Sequence, residues 1–248
     1  MVSALRSLQG VEVVFLDVGN TLLRAEPHVE VRYATTAAAH GIHAPAAEIK
    51  LRFRSLWKGY AAKRAERLFT TDRQATKALW HGFVADVFAP WAEPGPTFDA
   101  FFDQLYDEFA SPKAWTLFED VLPTLEGLRA RATRLAVISN WDMRLPEMLD
   151  AMALTPYFEQ VLVSALEGLE KPARELFERG CQRMSVAPER ALHVGDSFEE
   201  DVLGALGAGL HAALIDRGQL LPRDQDAPAE RPGGHLVLSA LSDLLELP

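Results

Sequence analysis

Five short apolar runs alternate with amphipathic helical patterns along this chain. The runs are rich in β-branched and aromatic residues, which is typical of buried strands, and they cover residues 11–16, 135–139, 161–164, 191–194 and 212–215. Helical patterns between them cover residues 121–131, 145–153, 173–184 and 200–208. This alternation predicts an α/β fold, in which helices cover both faces of a parallel sheet.

The alternation is interrupted once, between the first and second runs. Residues 25–110 read as helices, and Pro90, Pro94, Gly95 and Pro96 break the pattern before the last of them. We therefore predict a core formed by residues 1–24 and 111–248 and an all-helical module formed by residues 25–110. The aromatic residues of this module fall mostly at helical spacing, so we interpret them as its own core: Trp57, Trp80, Phe83, Trp91, Phe98, Phe101 and Phe102.

The end of the chain carries a different pattern. Residues 221–234 are rich in proline, glycine and charge, which predicts an exposed loop. A last strand at residues 235–238 and a short terminal helix follow it.

Net charge, apolar stretches and cysteine content narrow the partners and the compartment that we expect for this protein. The formal net charge of −10 makes binding to nucleic acid or to an anionic membrane surface unfavourable. The apolar stretch near the N-terminus is too short for a signal peptide or a membrane span. The single cysteine, Cys181, lies in a helical apolar pattern and cannot form an internal disulfide. We expect a cytoplasmic protein that acts on a small molecule, as a monomer or a homodimer.

Polar residues follow the ends of the predicted strands. Asp17 follows the first strand, Ser139 and Asn140 end the second, Lys171 precedes the helix after the third, and Asp196 follows the fourth. Taken singly, each has an ordinary structural role as a cap, turn or surface residue. Ligands bind beyond the carboxyl ends of the strands in an open parallel sheet, so we expect these side chains to gather at one edge.

Their chemistry is that of a metal-assisted nucleophile. Asp17 and Asp196 would repel each other unless a cation lay between them, and oxygen ligands with room for water suit Mg²⁺. With Mg²⁺ and the Lys171 ammonium beside it, Asp17 should stay ionised and attack an electrophile. The same charges would neutralise the oxygens of a phosphoryl group.

Neighbouring residues are candidates for supporting roles. We assign substrate binding to Ser139, Asn140 and Lys171, and orientation of metal-bound water to Glu200 and Asp201. Glu200 fits the first turn of a helix equally well, because negative charge is favoured there.

The four segments FLDVGNTL, AVISN, EKPARE and HVGDS, with Asp201, resemble the four motifs of the haloacid dehalogenase superfamily in their order and spacing. The resemblance covers the whole chain and implies a Rossmann-like core interrupted after the first motif by a helical cap. It is closest to a capped subfamily of hydrolases with DxGxTL as the first motif.

The resemblance also implies roles for individual residues. Asp17 would form a covalent aspartyl intermediate, and the main-chain carbonyl of Gly19 would join Asp17 and Asp196 as a ligand of Mg²⁺. Thr21 would shape the loop and contact the phosphoryl group. The implied activity is that of a Mg²⁺-dependent phosphatase for a small phosphorylated metabolite.

One position departs from the pattern. Phosphatases of this superfamily carry a second aspartate two residues after the nucleophile, where this chain has Gly19. Glycine cannot transfer a proton, and such acid–base help is worth about 10²–10⁴-fold.

Five interpretations of that departure stay open. The first is a phosphatase whose substrate has an activated leaving group, such as an acyl, enol or aryl phosphate. The second is a phosphatase whose acid comes from Asp142, Glu26 or a cap residue. The third is a 2-haloacid dehalogenase, although Gly195 and Asp196 argue against it. The fourth is a phosphonate hydrolase that uses a cap lysine, for which the candidates are Lys50, Lys58, Lys63 and Lys77. The fifth is a non-catalytic binding or regulatory protein.

Overall fold

A computed structural model describes residues 7–66, 73–218 and 234–248, without the side chains of residue 58 and residues 61–66. The loop predicted at residues 221–234 therefore lies almost wholly outside the described residues. None of the described helices is long and apolar enough to cross a bilayer.

Strands and helices alternate as the apolar pattern predicts. The strands are β1 Val13–Leu16, β2 Leu23–Ala25, β3 Trp115–Leu117, β4 Arg134–Ser139, β5 Gln160–Val163, β6 Ala191–Gly195, β7 His211–Ile215 and β8 His235–Leu238. The α-helices are α1 Val29–Ala39, α2 Ala46–Glu66, α3 Arg73–Phe88, α4 Pro96–Ala110, α5 Val121–Ala130, α6 Leu145–Ala151, α7 Ser164–Glu167, α8 Arg174–Arg183 and α9 Gly204–Gly207. Short 3₁₀ segments cover Pro112–Ala114, Thr155–Tyr157, Pro188–Arg190 and Leu241–Glu246.

Six strands form one parallel sheet in the order β5-β4-β1-β6-β7-β8. The strand β1 lies at the centre, between β4 and β6. All six carboxyl ends therefore lie at the same edge, and the residues after β4 and β6 flank the residue after β1. This confirms the predicted α/β, Rossmann-like class.

Alternating side chains of β1 enter two separate hydrophobic cores. Val14 and Leu16 pack in a core that contains residues of α5 and α6. Val13 and Phe15 pack on the other face, in a core that contains residues of α8 and α9. The period of two along a strand thus places helices on both faces of the sheet.

The helices α1 to α4, which we call the helical insert, fall between β2 and β3 in the chain. They enclose a third core that contains four of the seven aromatic residues singled out above, namely Phe83, Phe98, Phe101 and Phe102. The strands β2 and β3 pair with each other in an antiparallel ribbon where the chain enters and leaves the insert.

The structure differs from the predicted elements in two places. The ribbon of β2 and β3 was not predicted, since strands of three residues carry no periodic signal. The helix predicted at residues 200–208 is a π-helix at Phe198–Leu203 followed by α9.

Candidate active site

Asp17 follows β1 at the centre of the sheet edge, and its backbone N–H donates to the carbonyl of Val194 on β6. The side chain is buried. Asp17 Oδ1 accepts hydrogen bonds from Ser139 Oγ at 2.9 Å and from Lys171 Nζ at 2.7 Å. Three residues that are far apart in sequence therefore meet at one carboxylate, as their positions after parallel strands predict.

Lys171 is buried between two carboxylates. Its Nζ donates to Asp17 Oδ1 and, at 2.5 Å, to Asp201 Oδ1. Burial alone would lower the pKa of Lys171, but the two carboxylates outweigh it and raise that pKa above the ordinary lysine value. The Lys171 ammonium is therefore charged at neutral pH.

Asp201 is held from three sides. Besides Lys171, His193 Nε2 lies 2.8 Å from Asp201 Oδ1, and the backbone N–H of Ser197 donates to Oδ2 at 2.9 Å. Burial alone would raise the pKa of Asp201, but Lys171 and the hydrogen bond from His193 lower it below the ordinary value. Asp201 thus orients Lys171 against Asp17.

Asp196 has a different environment. It is half-buried, and its Oδ2 accepts from Asn20 Nδ2 at 3.1 Å. Burial, together with repulsion from Asp17 and Asp201, raises the pKa of Asp196 well above its usual range. Carboxylate oxygens of Asp17, Asp196 and Asp201 lie within 4.8 Å of one another. Burial likewise raises the pKa of Asp17, more than the contact with Lys171 lowers it. Three carboxyl groups thus share a site with one ammonium, which favours binding of a further cation.

Gly195 makes this arrangement sterically possible. A Cβ at Gly195 would lie 2.1 Å from Asp201 Cγ, far inside van der Waals contact. Glycine at the end of β6 therefore leaves room for the Asp201 carboxylate under the strand.

Asn140 and Glu200 form a support for Lys171. Asn140 Oδ1 accepts from the Lys171 N–H at 2.8 Å, and Asn140 Nδ2 donates to the Lys171 carbonyl and to Glu200 Oε2, both at 2.9 Å. Burial raises the pKa of Glu200. In this structure the amide of Asn140, which we expected to bind substrate, fixes the backbone of Lys171.

Thr21 and Arg217 connect the loop after Asp17, residues 18–22, to the rest of the sheet edge. Arg217 Nη2 donates to the Thr21 carbonyl at 2.8 Å, and Arg217 Nη1 donates to the Asp120 carboxylate at 2.9 Å. The guanidinium also lies 3.9 Å from the centre of the Phe118 ring. Thr21 itself is fully buried, and its Oγ1 has no hydrogen-bond partner among the described residues.

Gly19 lines a cavity between the sheet edge and the helical insert. The cavity has a volume of about 350 Å³, and Asn20, Asn140 and Trp141 also line it. A Cβ at Gly19 would lie 3.4 Å from Cζ3 of Trp141. Among the described residues, Trp141 is therefore the neighbour that a side chain at position 19 would contact first.

Asp142, which the sequence offers as a replacement acid, is engaged elsewhere. Both its carboxylate oxygens accept from the Arg144 guanidinium, and Oδ1 also accepts from the Arg144 N–H at 2.9 Å. Asp142 therefore holds Arg144 at the start of α6.

The candidate lysines of the insert do not line the cavity where their side chains are described. Lys50 pairs with Glu30 and Lys77 with Asp103, at 2.8 and 2.7 Å. The side chains of Lys58 and of residue 63 lie outside the described part of the structure.

Sequence reasoning did not single out Asn20, Trp141 or Arg217 as parts of the site. Asn20 follows Gly19 and Trp141 follows Asn140 in the chain, so their positions beside motif residues could have indicated that they belong to the site. Arg217 follows the end of β7, and its contact with Thr21 depends on a strand order that the sequence does not reveal.

Comparison with known proteins identifies the family of the chain. The family model of haloacid dehalogenase-like hydrolases matches residues 11–209. Haloacid dehalogenase-like hydrolase domain-containing protein 3 of Mus musculus is 33% identical over 237 residues, covering 92% of this chain and 90% of that protein. A glyceraldehyde 3-phosphate phosphatase of Methanothermobacter thermautotrophicus is 34% identical over 131 residues, covering 52% of this chain and 58% of that protein.

Solved structures agree on the fold. L-2-haloacid dehalogenase from Xanthobacter autotrophicus has a TM-score of 0.70 at 21% identity, covering 95% of this chain and 97% of that one. A phosphatase of the same superfamily from Thermococcus onnurineus has a TM-score of 0.62 at 23% identity, with the same coverage of both chains. The family model, the mouse relative and the shared fold together place this chain in the family of haloacid dehalogenase-like hydrolases.

Proposed function

We propose that this hydrolase is a Mg²⁺-dependent phosphatase for a small phosphorylated metabolite, and that Asp17 is its nucleophile. The observation that carries the proposal is the contact of Lys171 Nζ with Asp17 Oδ1 at 2.7 Å, inside a cluster of three carboxylates. An ammonium at this position holds Asp17 and faces the oxygens of an incoming anion.

Residues of the cluster fit a divalent cation. Asp201 uses both oxygens on Lys171, His193 and Ser197, whereas Asp196 has one described side-chain partner, Asn20. We therefore assign the metal ligands to Asp17, Asp196 and the Gly19 carbonyl, and a supporting role to Asp201 and Glu200. When bound, Mg²⁺ would supply positive charge against the phosphoryl oxygens.

The proposed reaction has two steps. A carboxylate oxygen of Asp17 attacks phosphorus, the bond from phosphorus to the leaving oxygen breaks, and that oxygen keeps the electron pair. Water then hydrolyses the aspartyl phosphate and releases inorganic phosphate. Ser139 and Lys171 orient the carboxylate, Asn140 holds the backbone of Lys171, and the helical insert acts as a cap over the site.

Phosphate release from p-nitrophenyl phosphate tests this function. We expect weak turnover that EDTA abolishes and that Asp17→Asn lowers on the order of 10³-fold or more. Glu199→Gln is the matched control, because it also removes one carboxylate, but from an exposed residue three positions after Asp196. Turnover that survives both EDTA and Asp17→Asn would overturn the proposal.

Hydrolysis of a carbon–halogen bond is a second candidate. Gly19 favours this reaction, because halide leaves without a proton. The aromatic lining of the cavity favours it as well. Here Asp17 would displace halide from carbon, and water would hydrolyse the resulting ester. Halide release from 2-chloropropionate in EDTA would favour this reaction over phosphate transfer.

A further inference from the structure

The cavity lined by Gly19 and Asn20, close to Asp17 in the chain, is rich in aromatic rings. Four of the five tryptophans of the chain face it, together with phenylalanine and tyrosine side chains of the helical insert. The tryptophans are Trp57, Trp80, Trp115 and Trp141. These rings differ from the buried phenylalanines of the insert, such as Phe98 and Phe101, which do not line the cavity.

Charge along the described lining is balanced. Asp142 and Arg144 line the cavity, and they form an ion pair at 2.5 Å. The remaining guanidinium nitrogen of Arg144 donates to the Tyr106 carbonyl at 2.7 Å, and the guanidinium lies 3.8 Å from the centre of the Tyr106 ring. All three guanidinium nitrogens of Arg144 thus have acceptors within the protein, and the charge of Arg144 is balanced by Asp142 rather than left open for an anionic group of a substrate.

We propose that this cavity binds the leaving group of the substrate and selects an aromatic ring, so that the substrate is an aryl phosphate monoester. This inference rests on the phosphatase function proposed above. A volume of about 350 Å³ lies in the range of small-molecule sites, and aromatic rings favour edge or offset contacts with another ring.

The chemistry at Gly19 points to the same class. When the bond from phosphorus to oxygen breaks, the aryl oxygen keeps the electron pair, and the ring delocalises its charge. The aryloxide then takes its proton from water, so no acid at position 19 is needed for departure. An alkoxide has no such delocalisation and depends on the missing acid.

Binding of 2-naphthol tests the cavity without any turnover. We expect saturable quenching of tryptophan fluorescence in the unmodified protein and in Asp17→Asn, and no saturation with cyclohexanol. Leu79 is half-buried and lines the cavity, whereas its neighbour Ala78 is exposed and does not. Leu79→Lys should weaken naphthol binding about tenfold or more, and Ala78→Lys should leave it unchanged.

Thermal melts of both lysine variants confirm that they fold. If Leu79→Lys does not fold, Leu79→Ala is used instead, and we expect it to weaken naphthol binding by a smaller factor. Naphthol that fails to bind, or that binds equally to the Leu79 variants and the unmodified protein, would overturn the inference.

Turnover separates this inference from the phosphatase function. We compare 2-naphthyl phosphate with hexafluoroisopropyl phosphate, whose alcohol is similarly acidic but not aromatic. A ratio of kcat/KM of about tenfold or more in favour of the naphthyl ester is expected, falling in Leu79→Lys. Equal kcat/KM for both esters would reject the aromatic site while supporting the phosphatase. Naphthol binding with no turnover of either ester would reject the phosphatase while supporting the aromatic site.

Discussion

The indole of Trp141 lies against Gly19, so that a Cβ at position 19 would lie 3.4 Å from Trp141 Cζ3. That distance is ordinary contact for a methyl group, and the ring limits the directions that a longer side chain can take. The backbone of Trp141 is fixed by two hydrogen bonds with Ser164: the Trp141 backbone N–H donates to Ser164 Oγ, and Ser164 Oγ donates to the Trp141 carbonyl. The missing acid and the indole are therefore linked features of the site.

A variant that restores the acid should depend on Trp141. From the sequence alone, Gly19→Asp should raise turnover of alkyl phosphates more than of aryl phosphates. The structure adds that the full gain, on the order of 10²-fold or more, appears only when Trp141→Ala is combined with it. Steady-state kcat/KM on an alkyl and an aryl phosphate measures this, with Trp141→Ala alone as the control. The same gain in the single variant Gly19→Asp would show that the indole imposes no restriction.

Gly195→Ala should damage catalysis through Asp201. Its new Cβ would lie 2.1 Å from Asp201 Cγ and push that carboxylate away from Lys171. A displacement of about 1 Å at a catalytic group costs on the order of 10²-fold, and we expect a loss of kcat of that size. Gly207→Ala is the matched control, because nothing lies within 4 Å of its new Cβ. Unchanged kcat in Gly195→Ala would mean that the position of Asp201 does not matter.

The sequence predicts the sheet because its strands are short, apolar and β-branched. The residues that gather at its edge, such as Asp17 and Asp196, follow from the parallel arrangement alone. The sequence does not predict which partner each of them takes. Glu200 and Asp201 are adjacent in the chain, yet the first accepts a hydrogen bond from Asn140 and the second from Lys171, because neighbouring residues of the π-helix Phe198–Leu203 point in different directions.

Aromatic residues of the insert show the same limit. Helical spacing groups Trp57 and Trp80 with Phe98 and Phe101 as a single core. In the structure the phenylalanines are buried in that core, whereas the two tryptophans pack against it partly buried and also line the cavity. Spacing identifies the apolar face of each helix, but only the packing of helices against the sheet edge decides which part of that face stays open.

Arg217 should hold the loop after Asp17, residues 18–22, in place. It joins the Thr21 carbonyl to the Asp120 carboxylate, so its removal frees the loop that carries Gly19. We expect Arg217→Ala to lower the free energy of unfolding by about 1–3 kcal/mol, as for buried hydrogen bonds to charged groups, and to lower kcat. Arg190→Ala is the control, since Arg190 forms an exposed pair with Glu12 that contributes little. Denaturant unfolding and kcat measured on both variants test this; equal effects in the two would contradict it.

Mg²⁺ should stabilise the folded protein through Asp196 in the absence of any substrate. A ligand at 100 times its Kd stabilises the folded state by about 2.7 kcal/mol. For a chain of this size that corresponds to a rise in Tm of roughly 5–10 °C. Asp196→Asn removes a carboxylate from the cluster and should abolish most of the rise, whereas the exposed control Glu199→Gln should keep it. Thermal melts in EDTA and in excess Mg²⁺ measure the effect without any enzymatic turnover. A rise that persists in Asp196→Asn would place the cation elsewhere in the protein, and the assignment of Asp196 as a ligand would be wrong.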